Sequence, residues 1–287
     1  MTESDFDLSA PELSRGDLLE LDDPRFHTDN VALVTGAASG IGEAVATGLA
    51  TNGLTVVGAD IDTEGMEETA KRIESFDVPG RFLPVETELT DKKEIVAVVE
   101  AAAGEGSLRY VANIAGLQHI DPFAQFPTEK YDLLQDVMIR APFLITREAI
   151  PYIEDTDDGV GAIANMCSVH GHYATHSKPA YIIAKHALNG LTRATAAEGG
   201  GDLRSFTVSV GYVLTPLMVN QIEDTAEERG ISEREVVEDV MLGQARTKEM
   251  MTPADVANLF TFGLSGHGKH LNGGDMLWDG GFTNTYE

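Results

Sequence analysis

Cysteine is nearly absent from the chain. Of its 287 residues only Cys167 is a cysteine, so no disulfide can form within the chain. Disulfides belong to oxidising compartments, and a single thiol favours a reducing, cytoplasmic location. Long apolar runs are absent too, since none approaches the roughly 18 residues that a membrane span needs. No signal-peptide pattern opens the sequence. We therefore expect no membrane association.

Basic residues are scarce as well. The chain has 20 Lys and Arg against 47 Asp and Glu, a formal net charge of −27. Such a surface repels nucleic-acid phosphates and anionic membranes, so we expect no nucleic-acid partner. In molar salt, screening over about 3 Å removes the self-repulsion of a highly charged protein. We interpret the acidity as adaptation to salt; the alternative is an ordinary acidic protein. With one cysteine and no regular histidine spacing, no metal site is expected.

Residues 1–29 are rich in acidic residues and show no sustained periodicity, which predicts a poorly ordered tail or an arm on the surface. From residue 30 onward, short β-branched runs alternate with helix-length segments. The predicted strands are at residues 31–35, 54–60, 81–86, 109–116, 160–168 and 206–213, and one long helix is predicted around residues 130–152. This alternation predicts one α/β domain over residues 30–287, a single doubly wound parallel sheet (Rossmann fold) flanked by helices.

A glycine-rich turn lies between the first predicted strand and the first predicted helix. It contains Gly36, Ser39, Gly40, Ile41 and Gly42. Glycines let the backbone approach a pyrophosphate, and the helix N-terminus favours its negative charge. The strand before the turn and the helix after it are the context that a dinucleotide site requires.

Asp60 ends the second predicted strand. A carboxylate there can accept hydrogen bonds from ribose hydroxyls and would repel a 2′-phosphate, which favours NAD over NADP. The alternative is a simple turn residue.

Three residues further along suggest general acid–base chemistry. Tyr181 and Lys185 are four positions apart at the start of a predicted helix, so they share one face. An ammonium beside a phenol lowers the pKa of the phenol. Ser168 follows a strand end, where its hydroxyl can hold a carbonyl oxygen. We predict Tyr181 as the proton acceptor, Lys185 as the group that lowers its pKa and Ser168 as the donor to the substrate oxygen.

Together, the spacing of the glycines and the Ser, Tyr and Lys resemble the short-chain dehydrogenase/reductase family from about residue 31 to the C-terminus. The resemblance implies hydride transfer between a nicotinamide and a secondary alcohol, with Tyr181 and Lys185 also contacting the cofactor. Further cofactor-binding positions implied in this way are Glu88, Leu89, Asn113, Gly116, Val213 and Thr215. It also implies a homotetramer or homodimer formed through the long central helices.

Within that family, several segments are similar to D-3-hydroxybutyrate dehydrogenases. The resemblance implies a substrate site formed by Gln118, His170, Lys178, Tyr212 and Gln221. A fixed cation with neutral donors suits a small hydroxy acid. The implied reaction is the reversible, NAD-dependent oxidation of (R)-3-hydroxybutyrate to acetoacetate. The alternatives are another small alcohol or sugar as substrate, or an NAD-binding protein whose catalysis has decayed.

Met138 is the main departure from the family pattern. It stands where the family has an asparagine that holds a proton-relay water, and a thioether cannot hold water in that way. Three alternatives stay open: the proton leaves by another route, turnover is slow, or the protein binds NAD without much catalysis.

Overall fold

The computed structural model describes residues 11–285, apart from the side chain of Glu228. Within them, seven parallel strands form one sheet in the order β3-β2-β1-β4-β5-β6-β7. The strands are β1 (Asn30–Thr35), β2 (Thr55–Asp60), β3 (Arg81–Glu86), β4 (Ser107–Asn113), β5 (Gly161–Met166), β6 (Leu203–Val210) and β7 (Asp275–Trp278). The predicted doubly wound parallel sheet is confirmed.

Helices cover both faces of this sheet, because strands buried on both sides need an apolar layer on each. The core on one face includes residues of α1 and α9, and the core on the other includes residues of α3, α5 and α6. The helices are α1 (Gly40–Thr51), α2 (Thr63–Ser75), α3 (Lys92–Gly104), α4 (Thr128–Gln135), α5 (Ala141–Glu154), α6 (Pro179–Glu198), α7 (Pro216–Arg229), α8 (Glu233–Glu235) and α9 (Pro253–Leu264). The helix predicted around residues 130–152 is α4 and α5, joined by a π-turn at Asp136–Arg140.

Residues 11–29 form an arm that packs on the domain. Leu18 and Phe26 are buried in the core beside α1 and α9. The N–H of Leu19 donates to Asn258 Oδ1 at 2.7 Å, and the N–H of Leu21 donates to Asn52 Oδ1 at the same distance. Over residues 11–29 the structure therefore has the surface arm rather than a disordered tail. Residues 1–10 lie outside the described residues.

The segment that follows β6 and precedes α9 in the sequence forms a separate small core. Ile222, Val236, Val237 and Met241 are its buried members, drawn from α7 and a second π-turn at Val236–Met241. The two ends of this segment are joined where Met251 donates its N–H to the Tyr212 carbonyl at 2.9 Å. The segment therefore begins and ends beside the carboxyl end of β6.

The strand order reverses between β1 and β4, which are neighbours in the sheet although not in sequence. In open parallel sheets, ligands bind at the carboxyl ends of the strands beside such a reversal. The predicted site residues follow these strand ends. Between residues 11 and 285, no helix is both long and apolar enough to cross a membrane.

Candidate active site

The turn between β1 and α1 contains glycines, so its backbone is not covered by side chains at those positions. Gly36 and Gly40 have φ values of 72° and 56°, the left-handed region that favours glycine. A Cβ on Gly42 would lie 1.9 Å from the Gly36 carbonyl oxygen, so no side chain fits there. The turn leads directly into the N-terminus of α1. Bare backbone at a helix N-terminus fits a pyrophosphate.

Asp60 closes β2 beside this turn. Its Oδ2 accepts from the N–H of Ala38 at 3.2 Å, and its Oδ1 accepts from the N–H of Asp62 at 3.1 Å. The carboxylate is half-buried and faces the cleft described next. Asp60 therefore holds the glycine-rich turn in addition to presenting a negative charge.

A cleft of about 580 Å³ runs along the carboxyl ends of the strands. Most of the predicted cofactor positions line it: Gly36, Ser39, Gly40, Ile41, Gly42, Asp60, Glu88, Leu89, Gly116, Tyr181, Lys185, Val213 and Thr215. Among the described residues that line it, Lys185 is the one cation. Its Nζ donates to the Met166 carbonyl at the end of β5, three strands from Asp60 on β2. The backbone of the glycine-rich turn together with the carboxylates of Asp60 and Glu88 fits a dinucleotide whose adenosine half lies beside those carboxylates.

Ser168, Tyr181 and Lys185 meet at one end of this cleft. Ser168 follows β5, and Tyr181 and Lys185 lie on the first turns of α6. The Lys185 Nζ is 5.3 Å from the centroid of the Tyr181 ring and donates to the Met166 carbonyl at 2.7 Å. Ser168 forms a hydrogen bond with the Tyr181 phenol. The three predicted catalytic side chains are thus brought together.

The pKa values of this group differ from the sequence-based expectation. Burial raises the pKa of Tyr181 to about 12, and the hydrogen bond with Ser168 opposes that rise. Burial also lowers the pKa of Lys185 to about 8. We expected Lys185 to lower the pKa of Tyr181. In the structure burial raises the pKa of Tyr181 instead, and the Lys185 Nζ donates to a carbonyl rather than to the phenol.

Asn113 does not line the cleft. It ends β4, where its Nδ2 donates to Asn165 Oδ1 on β5 at 2.9 Å, while its own Oδ1 is buried without a hydrogen-bond partner. Asn165 in turn donates to Thr192 on α6 at 2.8 Å. Asn113 therefore links the two strands that carry the site to the helix that carries Tyr181.

Comparison with known proteins agrees with this geometry. Residues 30–226 match the family model described as short chain dehydrogenase. The chain belongs to the short-chain dehydrogenase family. Over 260 residues it is 34% identical to a D-beta-hydroxybutyrate dehydrogenase of Rhizobium meliloti, covering 88% of this chain and 98% of that one. An uncharacterized oxidoreductase of Bacillus subtilis is 32% identical over 259 residues, covering 88% and 98% of the two chains.

A solved structure of the same fold is L-sorbose reductase from Gluconobacter frateurii, complexed with NADPH and L-sorbose. It superposes with a TM-score of 0.82 at 26% identity, covering 91% of this chain and 98% of that chain. These comparisons show the family and, with it, the nicotinamide class of cofactor. The cofactor in that neighbour is NADPH.

Two predicted substrate residues of this short-chain dehydrogenase line the cleft with the catalytic group. Gln118 follows β4, and its Oε1 is buried without a hydrogen-bond partner. Gln221 lies on α7 and is buried. Both residues come from the half of the sheet that begins at β4, since Gln118 follows β4 and α7 follows β6. This part of the dehydrogenase can offer neutral donors and acceptors to a small polar ligand.

His170, Lys178 and Tyr212 do not line the cleft. His170 is buried against the ring of Tyr181, with centroids 5.7 Å apart. Tyr173, which the sequence did not single out, stacks on His170 with centroids 5.1 Å apart and also contacts Phe282. Phe282 in turn contacts Tyr212. No sequence signal marks Tyr173, which is the one Phe, Tyr or Trp among residues 169–180.

Met138 is fully buried in the π-turn between α4 and α5. A Cβ on Gly116 would lie 3.6 Å from the Met138 sulfur, so the thioether packs behind the loop that follows β4. The thioether is at most a weak hydrogen-bond acceptor. The position that the family gives to a polar amide is therefore apolar in this dehydrogenase.

Proposed function

We propose that the protein oxidises (R)-3-hydroxybutyrate to acetoacetate with NAD, reversibly. The observation that carries this is the presence of Gln118 and Gln221 in the same cleft as Ser168 and Tyr181. The amide N–H groups of these two residues can donate to a small carboxylate beside a reacting alcohol. The 34% identity with a D-beta-hydroxybutyrate dehydrogenase supports the same substrate.

In this proposal the reacting alcohol oxygen lies between Ser168 and Tyr181. Ser168 donates to that oxygen, and Tyr181 accepts the hydroxyl proton as a phenolate. Lys185, 5.3 Å from the ring centroid, supplies positive charge that favours the phenolate once the cleft is filled. Bound NAD supplies the hydride acceptor.

NAD rather than NADP follows from the charges at the adenosine end. Asp60 and Glu88 line the cleft there. Among the described residues of the lining, the one cation is Lys185, whose Nζ donates to the Met166 carbonyl on β5, three strands from Asp60 on β2. A 2′-phosphate beside two carboxylates would be repelled without a compensating cation. We take this charge pattern to select NAD.

A second candidate is oxidation of another small secondary alcohol or a sugar. It is favoured by the absence of His170 and Lys178 from the lining, while Leu117, Leu217 and Met218 are present in it. An apolar pocket whose lining lacks the Lys178 ammonium favours a neutral alcohol over an anion.

Replacement of Gln118 distinguishes the two candidates. If Gln118 binds the substrate carboxylate, Gln118→Leu raises the KM for (R)-3-hydroxybutyrate by roughly 10- to 100-fold, the loss of one charge-assisted hydrogen bond. The KM for 2-butanol changes little. The control is Gln125→Leu, since Gln125 is exposed. A wild-type enzyme that prefers 2-butanol or a sugar to hydroxybutyrate would support the second candidate instead.

We further propose that the protein functions in molar salt and as a homotetramer or homodimer through α5 and α6. The charge of −27 supports the first point. Phe143 on α5 is 51% exposed and Ile183 on α6 is 41% exposed, which supports the second.

A further inference from the structure

His170 lies between the catalytic serine and the surface, and both nitrogens of its ring have partners. Its Nδ1 is 3.4 Å from Ser168 Oγ, and its Nε2 is 3.0 Å from Thr175 Oγ1. The ring is buried, whereas Thr175 is exposed. Each nitrogen thus contacts a hydroxyl group, and His170 does not line the cleft in which a substrate carboxylate would lie.

The same chain of contacts continues inward from Ser168. Its hydroxyl hydrogen-bonds the phenol of Tyr181, so four side chains lie in series: Tyr181, Ser168, His170 and Thr175. A phenol, an aliphatic hydroxyl and a neutral imidazole can each donate one proton and accept another. The series joins a phenol in the cleft to an exposed hydroxyl.

The surroundings of His170 keep its ring neutral. Burial, followed by the charges of Lys178, Lys185 and His186, lowers the pKa of His170 to about 3. The rings of Tyr173 and Tyr181 pack against it without adding a negative charge. A neutral imidazole carries one N–H and one lone pair, so it can take a proton at one nitrogen and release one from the other.

We propose that His170 conducts the catalytic proton from Tyr181 to solvent, which rests on the proposed role of Tyr181 as proton acceptor. Once the product has left and no longer takes the hydrogen bond of Ser168, the Tyr181 proton passes to Ser168 Oγ, and the Ser168 proton passes to His170 Nδ1. The proton on Nε2 passes to Thr175 Oγ1, and the Thr175 proton passes to water. One proton leaves the phenol and one enters water. The ring ends as its other tautomer and exchanges back through solvent once the product has left.

This route accounts for the apolar residue at position 138. A proton that leaves through His170 does not need a water held by an amide in the π-turn, where Met138 is fully buried. Of the three alternatives that the sequence left open, a different exit route is the one that the contacts of His170 support. It also changes the role of His170 from a substrate ligand to a relay.

Replacement of His170 separates a relay from a substrate ligand. Glutamine can keep hydrogen bonds to Ser168 and Thr175 but cannot exchange protons between its two ends. His170→Gln therefore lowers kcat by about 100-fold, with the KM for the alcohol and the Kd of NAD nearly unchanged. Added imidazole restores the kcat of His170→Ala saturably. The matched control is His176→Gln, because His176 is an exposed histidine of the same loop.

The outer end of the relay is tested at Thr175. Thr175→Val removes the hydroxyl, lowers kcat and raises the solvent deuterium isotope effect on kcat, because proton release becomes rate-limiting. Thr175→Ser keeps the hydroxyl and the wild-type behaviour. A purely structural role would give no imidazole rescue and no change in the isotope effect. A ligand of the carboxylate would instead raise the KM for hydroxybutyrate and leave turnover of a neutral alcohol unchanged; either pattern overturns the proposal.

Nitrogen-15 NMR of the full chain labelled at histidine needs no turnover. The relay requires a neutral His170 ring with both nitrogens hydrogen-bonded from about pH 5 to 8. Ser168→Ala then shifts the Nδ1 resonance, and Thr175→Val shifts the Nε2 resonance. A ring that titrates near its ordinary pKa of about 6.5, or that responds to neither change, overturns the relay. Failure of the proposed substrate is distinguishable, since the same variants are assayed on whichever alcohol the wild type oxidises.

Discussion

Asp60 is the residue on which the proposed choice of cofactor depends. Its carboxylate ends β2, accepts the N–H of Ala38 and lines the cleft beside Glu88. A hydrogen bond from a ribose hydroxyl to a charged acceptor contributes about 1.5–3 kcal/mol. The same charge opposes a 2′-phosphate. Under the proposed function, the side chain that stabilises the turn also binds NAD and excludes NADP.

Asp60→Ala should weaken NAD binding by roughly 10- to 100-fold, because it removes this charge-assisted hydrogen bond. The ratio of the Kd for NADP to the Kd for NAD should fall as well. Isothermal titration with each cofactor measures both effects. The control is Asp62→Ala, which removes the N-cap of α2 that accepts from Gly65 at 3.0 Å. Equal NAD affinity in wild type and Asp60→Ala would mean that Asp60 is only a turn residue.

Residues defined by local spacing could be predicted from the sequence. The glycines before α1 and the Tyr181–Lys185 pair depend on positions a few residues apart, which the chain itself specifies. The environment of His170 could not be predicted, since its contacts with Tyr173 and Thr175 depend on how the loop after β5 folds back. The pKa of Tyr181 was missed for the same reason, because burial is a tertiary property.

At the level of elements, the buried strands were predictable and the irregular segments were not. β1 and β5 are buried along their whole length, and such apolar runs between helices indicate a parallel sheet. The π-turns and the packing of the N-terminal arm left no periodic signal. Phe26, for example, is a lone apolar residue in an acidic stretch, and only the fold shows that it contacts Tyr110 at 5.6 Å between centroids.

Arg204 on β6 stabilises the end of α9. Its guanidinium is buried and donates to the carbonyls of Gly263, Leu264, Ser265 and Gly268, which lie at and just beyond the helix C-terminus. A cation at that end also offsets the helix dipole.

Arg204→Met should lower the free energy of unfolding by about 3 kcal/mol, because several buried carbonyls lose their donors at once. Urea denaturation measures the change. Lys71→Met, at an exposed position on α2, is the control for loss of one positive charge. A loss no larger than that of the control would show that these carbonyls find other donors.

For the whole molecule, the dominant feature is a net charge of −27 on a 287-residue chain. Self-repulsion of this size opposes the compact state in dilute buffer. The Debye length falls from about 10 Å at 0.1 M salt to about 3 Å at 1 M, so repulsion between surface carboxylates fades over that range. Salt therefore acts on the entire fold rather than on one site.

The melting temperature should rise steadily from dilute buffer to molar potassium chloride, measured by differential scanning calorimetry. Sucrose, which strengthens burial without screening charge, should reproduce little of the increase. A melting temperature that does not depend on salt would favour the alternative of an ordinary acidic protein.

Turnover of (R)-3-hydroxybutyrate by wild type and by Tyr181→Phe, followed as NADH absorbance in molar salt, tests the central claim most directly. The phenylalanine variant keeps the ring and lacks the hydroxyl that accepts the proton. We predict that the wild type forms NADH and that the variant loses at least about 100-fold in kcat while its Kd for NAD is unchanged. Equal rates in the two proteins, or no NADH from the wild type while NAD binds, would contradict the account.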